Sequence, residues 1–406
     1  MKYRYYIKTL GCKVNQYDSG VLVSSLLSLG FEESQDKPDL VIINSCAVTQ
    51  SAISKSRYFV NYYKKQYPKA KIVLFGCWPQ THDLKIKGVD LISGTGQRQE
   101  LLTKLLKLFS LKVDKNKVRE NLSHTDRHRY FLKVQDGCNQ FCSYCIIPYS
   151  RGRLKSRKQR EIIEEAGLAI KRGYNEIIIT GIHVGLYGVD LKNKSNLESL
   201  LEVLLQKYSQ TRFRLSSIEV SEVTTGIINL MKKYNNFCPH LHISLQSGSD
   251  KILKLMNRPY SVKDFKNQVL QIRKQVPDVS ISTDVIVGFP SESEKNFKDS
   301  YNFCKEIEFS KIHVFSFSLH KKTQAYNLPS RVKVEDIKIR SKKLRGLGRE
   351  LESKYMDKIS KRDDLEMVSE STKGNYIFGH SQYFTPLKIK KPNNFLDKDL
   401  GKRIKV

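Results

Sequence analysis

Short apolar runs alternate with stretches of helical periodicity between residues 5 and 318, which confines the chain to strand–helix–strand units and an α/β fold. The first candidate strands are 5–10, 40–44, 71–75 and a weaker 91–92. SGVLVSSLLSLG, between the first two, is apolar at helical spacing and closed by Gly30. SAISKSRYFVNYYKKQY, between the next two, is a helical pattern stopped before Pro68. Parallel sheets of this kind collect ligands beyond the carboxyl ends of their strands. Cys12, Cys46 and Cys77 each fall just past such an end, so three thiols can meet at one edge; three buried core cysteines are the plainer alternative.

A polar stretch at 113–128 reads as a linker. Apolar strands resume at FLKVQ (131–135) and continue at 176–182, 212–219, 241–246, 280–289 and 311–318, with helical patterns between them. Six strand–helix units fall short of the eight of a closed barrel, so an open, partial barrel is expected. A basic helical pattern covers 334–359, weakened by Gly346 and Gly348, and the runs DLEMVS, NYIFGHS, FTPLKIKK and RIKV predict a small C-terminal β-barrel. The expected domains are 1–112, a linker 113–128, a barrel 129–345, and a helix plus small barrel 346–406.

No run approaches the roughly 18 apolar residues of a membrane span, and MKYRYYIKTLGCKVNQ lacks a secretory pattern, so a soluble, cytoplasmic protein with no membrane partner is expected. Lys and Arg number 71 against 41 Asp and Glu, a net charge of +30 that favours a polyanionic partner. Abundant Lys, Asn, Ile and Tyr also fit an AT-rich genome, so charge alone does not say which nucleic acid.

Gly137-Cys138-Asn139-Gln140-Phe141-Cys142-Ser143-Tyr144-Cys145 sets three thiols in a C-x3-C-x2-C spacing after a strand. Soft thiolates suit iron–sulfur clusters, and three of them leave one iron of a four-iron cluster open for reaction. A zinc knuckle short of a ligand has the same spacing, but no His lies within the motif.

This segment belongs to a longer series in order: TLGCKVNQYDS, NSCAVT, GCWPQ, VQDGCNQFCSYCIIPYSRGRLKSR, TGIHVGLYGVD, LHISLQSGSDKILKLMNRPYS and TDVIVGFPSESE. Over nearly the whole chain it resembles the radical S-adenosylmethionine (SAM) enzymes and, within them, the methylthiotransferases. The resemblance implies that Cys138, Cys142 and Cys145 hold a [4Fe-4S] cluster whose open iron binds SAM and cleaves it to a 5′-deoxyadenosyl radical. It implies that Cys12, Cys46 and Cys77 hold a second [4Fe-4S] cluster that presents sulfur, with a methyl group from a further SAM. Electrons would come from a reduced flavodoxin- or ferredoxin-type donor.

Gly181, Glu219, Gln246, Ser247, Asp284 and Gly288 stand at the expected carboxyl edge of the barrel, to contact SAM or to hydrogen-bond within the barrel or its turns. His183 is expected to hydrogen-bond locally, and Cys238 and Cys304 to pack. Arg151, Arg153, Lys155, Arg157 and Lys158 follow the cysteine motif and are expected to position substrate phosphates, or to form a solvated helix start. NYIFGHSQYFTPLKI and GKRIKV resemble the TRAM domain, an RNA-binding β-barrel, though the stretch is short for one. GCKVNQYDS, HISLQSG and DGCNQFCSYCIIPYSRGR are similar to the branch that modifies N6-threonylcarbamoyladenosine at position 37 of tRNA. Branches acting on N6-isopentenyladenosine or on a ribosomal-protein aspartate, and a non-catalytic RNA-binding metal scaffold, are the other readings.

Overall fold

The computed structural model describes residues 3–111, 122–124, 128–192, 195–392 and 395–406, so most of the expected linker lies outside the described residues. The chain forms two compact units. One comprises Met1–Asp126, Asp136–Lys155 and Ser318–Thr323, the other Arg127–Gln135, Ser156–Phe317 and Gln324–Val406. The C-x3-C-x2-C segment therefore groups with the first unit, although the expected boundary at 128 assigns it to the barrel.

The first unit runs β1 (Arg4–Thr9), α1 (Lys13–Ser28), β2 (Glu32–Glu33), β3 (Leu40–Ser45), α2 (Gln50–Gln66), β4 (Lys71–Gly76), α3 (Cys77–Thr81), β5 (Leu91–Gly94) and α4 (Arg98–Lys107), with α5 (Ile147–Arg151) added from the later segment. All strands are parallel in the order β2-β1-β3-β4-β5. The central strand β3 is apolar on both faces because both are covered. Leu40 and Ile42 pack with Leu26, Leu101 and Leu105 of α1 and α4, whereas Val41 and Ile43 pack with Ile53, Val60 and Tyr63 of α2. The strand order reverses between β1 and β3, and at such a point the carboxyl ends part to leave a crevice.

The second unit holds six parallel strand positions: β6 (Tyr130–Lys133), β7 (Glu176–Thr180), β8 (Arg212–Leu215) continued by β9 (Ser217–Ile218), β10 (His240–Ile243), β11 (Ser280–Val287) and β12 (Lys311–Ser316). They match the expected open barrel, with one difference. The run expected at 212–219 breaks at Ser216, so the wall forms two sheets, β8-β7-β6 and β9-β10-β11-β12. At the β8 end of this wall, the Asn236 side-chain amide donates to the carbonyls of Leu205, Tyr208 and Thr211. This pins the entry to β10 beside Phe213, whose amide then bonds the Asn236 carbonyl at 2.7 Å.

Helices α6 (Gln159–Lys171), α7 (Leu197–Lys207), α8 (Thr225–Lys233), α9 (Asp250–Leu255), α10 (Val262–Gln275) and α11 (Glu294–Ile307) alternate with these strands. Asn196, Thr224, Ser261 and Ser293 cap α7, α8, α10 and α11 with side-chain oxygens. The basic helix α12 (Val334–Ile359) forms over its expected range and packs with Gly348 beside Ile312. Strands β13 (Glu366–Lys373), β14 (Tyr376–Ser381), β15 (Pro386–Lys390) and β16 (Arg403–Lys405) pair antiparallel in the order β15-β14-β13-β16. They make a curled half-barrel, since four strands do not close the barrel expected there. No helix among the described residues is long and apolar enough to cross a membrane.

A buried charge seam joins this half-barrel to the strands. Glu176 opens β7, and Arg212 and Arg214, two residues apart, share one face of β8. Arg212 Nε donates to Glu176 Oε2 at 2.9 Å and Arg214 Nε to Oε1 at 2.8 Å. Their remaining donors reach the carbonyls of Glu366, Ser381 and Gln382, each at 3.0 Å. Burial alone raises the Glu176 pKa, but Arg214, Arg212 and Arg129 outweigh it and hold the carboxyl well below the usual range.

Glu176→Gln strands two buried guanidinium groups, at an expected cost of about 3–5 kcal/mol. An unfolded glutamate titrates near 4.3. The folded value is lower, so the seam's stabilisation is complete above that pH and fades as pH falls toward the folded value. Thermal unfolding across pH should therefore show a gap between wild type and Glu176→Gln that is constant near neutrality and narrows in acid.

Candidate functional site

Cys12 precedes α1, Cys46 follows β3 and Cys77 opens α3 directly after β4. Cys12 and Cys46 thus flank the crevice where the strand order reverses, and Cys77 stands at the next strand. Asn15, one turn into α1, straps the crevice. Its Nδ2 donates to Leu10 O at 2.8 Å and Ser45 O at 3.0 Å, joining the ends of β1 and β3. That leaves its Oδ1 among the thiols, 3.8 Å from Cys77 Sγ and 4.0 Å from Cys12 Sγ. Gly11 has φ +96°, and a Cβ there would stand 2.9 Å from Cys46 Cβ and 3.1 Å from its sulfur, so the close approach requires glycine.

Burial pushes the Cys46 thiol up to about 12, although the Val48 amide, 3.5 Å from the sulfur, pulls the other way. Burial raises Cys77 as well, opposed chiefly by Arg151. Proton loss from such thiols requires a strong compensating ligand, and soft metals provide one.

The second thiol group lies on the loop before α5. Gly137 has φ +70°, and a Cβ would collide with the Arg153 carbonyl, so glycine permits the turn into Cys138. Cys138 N donates to Gly152 O at 3.1 Å, Cys145 N to Cys142 O at 2.9 Å, and the Gln140 amide lies 3.4 Å from Cys138 Sγ. Cys142 is buried, whereas Cys138 and Cys145 are half-buried. Among the described residues no three Cys, His, Asp or Glu side chains close on a single metal ion. A cluster takes its thiolates around a cage instead, one iron to each.

Arg151 departs from the expectation that it meets substrate phosphate. Its side chain has no exposed surface and bonds Asp136 Oδ1 at 3.0 Å and Asp18 Oδ2 at 3.1 Å, with a further bond to Asn15 Oδ1. Arg98 joins the same two carboxylates, at 2.6 Å from Asp18 and 2.8 Å from Asp136. Its helix carries Arg151 inward, next to the thiols. Arg157 is committed to Glu165 at 2.7 Å. Lys155, Lys158 and Arg153 stay exposed, with the Arg153 guanidinium 4.8 Å over the Phe141 ring. Asn15, Asp18, Arg98 and Asp136 were not singled out from sequence. The available signal was Asn15 and Asp18, polar residues at helical spacing from Cys12 on a helix that must be buried.

In the second unit, Gln135 Oε1 accepts from the amides of Ile182 (3.0 Å) and His183 (2.8 Å), fixing the turn after Gly181. His183 Nε2 lies 2.5 Å from Glu222 Oε1, a local bond as expected. Glu219 pairs with Arg258, and Asp284 Oδ2 lies 3.2 Å from His242 Nε2. Gln246 takes φ +65° and exchanges backbone bonds with β11 at Asp284 and Ile286. Ser247 Oγ meets Ser300 Oγ of α11 at 3.2 Å, and the Gly288 amide donates to buried Glu292 at 2.8 Å. Cys238 and Cys304 are buried packing residues.

Residues 132–304 match the model of the radical SAM superfamily, and residues 4–93 match an uncharacterized family, UPF0004. The threonylcarbamoyladenosine tRNA methylthiotransferase MtaB of Bacillus subtilis is 33% identical over 98% of this chain and 92% of its own. Its counterpart from Chlamydia pneumoniae is 37% identical over 92% and 89%. The tRNA-2-methylthio-N(6)-dimethylallyladenosine synthase of Malacoplasma penetrans is 33% identical over 87% and 77%. The chain belongs to the radical SAM methylthiotransferase family. The fold is shared with the radical SAM methyltransferase TsrM of Kitasatospora setae, a structure with cobalamin and a [4Fe-4S] cluster bound (TM-score 0.59, 12% identity, 80% of this chain and 77% of that one).

This methylthiotransferase is therefore an enzyme, which sets aside the non-catalytic scaffold. As a radical SAM enzyme it uses a [4Fe-4S] cluster and SAM. The donor chemistry fits: thiolate sulfurs on a glycine-permitted loop, with a backbone amide already beside one of them.

Gly137→Ala should force the loop away from Gly152, costing about 1–2 kcal/mol in left-handed backbone strain before the collision is counted. A lower melting temperature and less iron bound after anaerobic reconstitution are expected, measured against wild type.

Proposed function

We propose that the enzyme methylthiolates C2 of N6-threonylcarbamoyladenosine at position 37 of tRNA, with Cys138, Cys142 and Cys145 holding the SAM-binding cluster and Cys12, Cys46 and Cys77 a second [4Fe-4S] cluster. The observation that carries this reading is the gathering of the second trio, with Cys12 and Cys77 at Asn15 and Cys46 against Gly11. When bound, the clusters supply the electron for SAM cleavage and the sulfur for insertion, and a further SAM supplies the methyl group. The substrate is supported by the names of the Bacillus subtilis and Chlamydia pneumoniae relatives. A reduced flavodoxin- or ferredoxin-type donor and a cytoplasmic location, where thiols stay reduced, complete the reading.

The chain's own residues orient and enclose. The Val48 and Gln140 amides donate toward cysteine sulfurs and favour their thiolate forms. The Gly181 turn held by Gln135, Glu219 with Arg258, and Asp284 with His242 offer backbone and carboxylate contacts for SAM's amino and ribose groups. Gln246 shapes that edge, while Ser247 and Gly288 serve it through packing against α11 and Glu292. In this reading 1–112 carries the second cluster, 129–345 the SAM chemistry and 346–406 the tRNA grip. Along β15, exposed Lys388 and Lys390 alternate with half-buried Leu387 and Ile389. The Lys388 ammonium lies 3.9 Å from the centre of the exposed Tyr376 ring, a pairing of phosphate cation and stacking ring suited to RNA.

Nucleoside mass spectrometry of tRNA from cells lacking the enzyme tests the substrate. The methylthio-threonylcarbamoyl nucleoside should vanish and its precursor accumulate; loss of the isopentenyl counterpart instead would reassign it. Cys142→Ala should abolish 5′-deoxyadenosine formation, whereas Cys46→Ala should retain it and form no methylthio product. Lys388→Ala with Lys390→Ala should raise the tRNA Kd several-fold and lower its salt slope by about 1–2. These lysines are better targets than deletion of 361–406, which would strip Arg212 and Arg214 of carbonyl partners.

A further inference from the structure

A cluster of four irons and four sulfides held by three thiolates is a net anion when oxidised, and a buried anion needs a cation or aimed N–H groups. The thiol pocket contains one such group that the proposed function leaves without a task. Arg151 spends its Nη1 on Asp136 and its Nη2 on Asp18 and Asn15. Its Nε is buried and has no hydrogen-bond partner among the described residues. Asn15 Oδ1, which Arg151 touches, is the atom nearest which Cys77 and Cys12 also stand. The guanidinium is thus fixed on two sides by carboxylates and shares a pocket with the thiols, with one donor left over.

We propose that Arg151 is a positioning residue for the cluster held by Cys12, Cys46 and Cys77, supplying the unpartnered Nε–H to that cluster or its ligand sulfurs. The inference rests on the reading that these three cysteines hold a cluster. Asp18 and Asp136 set the guanidinium plane, and Arg98 balances their second charge, so that the four charged groups are neutral without the cluster. Hydrogen bonds to sulfur and net charge set cluster potentials. Arg151 therefore makes the cluster easier to reduce than it would be among the thiols alone. It also explains why this arginine, alone in the run 151–158, is fully withdrawn from solvent.

The test uses the full chain carrying Cys138→Ala, Cys142→Ala and Cys145→Ala, so that only the first trio loads. This parent is compared with Arg151→Lys, which keeps the charge and loses the fork, and with the charge-balanced pair Arg151→Met and Asp18→Asn. Each is reconstituted anaerobically with iron and sulfide. Iron content, circular dichroism, EPR-monitored midpoint potential and bleaching rate in EDTA are then read. The parent should bind about four irons. In the Met/Asn protein the reduction equilibrium should fall about tenfold, or ~59 mV for a one-electron couple, with faster bleaching; the Lys protein should lie between. Loss of iron from the Met/Asn protein with unchanged circular dichroism also supports the role. Identical potentials and bleaching rates in all three proteins overturn the inference and leave the cluster reading intact. A parent that binds no iron overturns the cluster reading and the inference with it. Should the Met/Asn protein fail to fold, the Lys comparison decides, since a lysine cannot restore both carboxylate bonds and the Nε donor.

Discussion

The reversal of strand order between β1 and β3 is the constraint on which the gathering of Cys12, Cys46 and Cys77 rests. A parallel sheet that continued in one direction would close its loops over each strand end. Here the loops after β1 and β3 diverge, and Asn15 spans the gap by bonding Leu10 and Ser45 carbonyls, one at each strand end. Gly11 then admits Cys46 to within contact distance of the turn after β1. Sheet order, one carboxamide and one glycine together bring into a single pocket thiols that are far apart in sequence.

Much of this was legible beforehand. Apolar runs at 40–44 and 71–75 became β3 and β4 nearly residue for residue, because a strand buried on both faces must be apolar at consecutive positions. The cysteines lie where the strand ends required. The order of the strands was not legible, since β2-β1-β3-β4-β5 depends on which edge each crossover selects. The break at Ser216 was hidden too, because the run 212–219 reads as one strand and yet its two halves pair in different sheets. Arg151 misled for a related reason. In sequence it heads a basic run, but the two carboxylates that draw it inward, Asp18 and Asp136, precede it by 133 and 15 residues.

Two of the buried charge clusters in this molecule have different chemistry. Glu176 is surrounded by more cations than it can neutralise, and the surplus guanidinium donors end on backbone carbonyls of the half-barrel. Such a seam is a weak source of net stability but costly to interrupt on one side. Around Asn15 the charges balance among themselves, and what is left over is a donor rather than a cation. The first arrangement fastens two parts of a fold together; the second leaves one N–H donor unspent beside the thiols.

The seam has a consequence for the life of the chain before it is complete. Arg212 and Arg214 lie near the middle of the polypeptide, yet the carbonyls that complete their coordination come from residues 366–382. A chain that stops before residue 366 lacks these acceptors, and the guanidinium donors not held by Glu176 are left without them. Such a truncated product carries, on a face that the finished chain seals, donors that only water can satisfy.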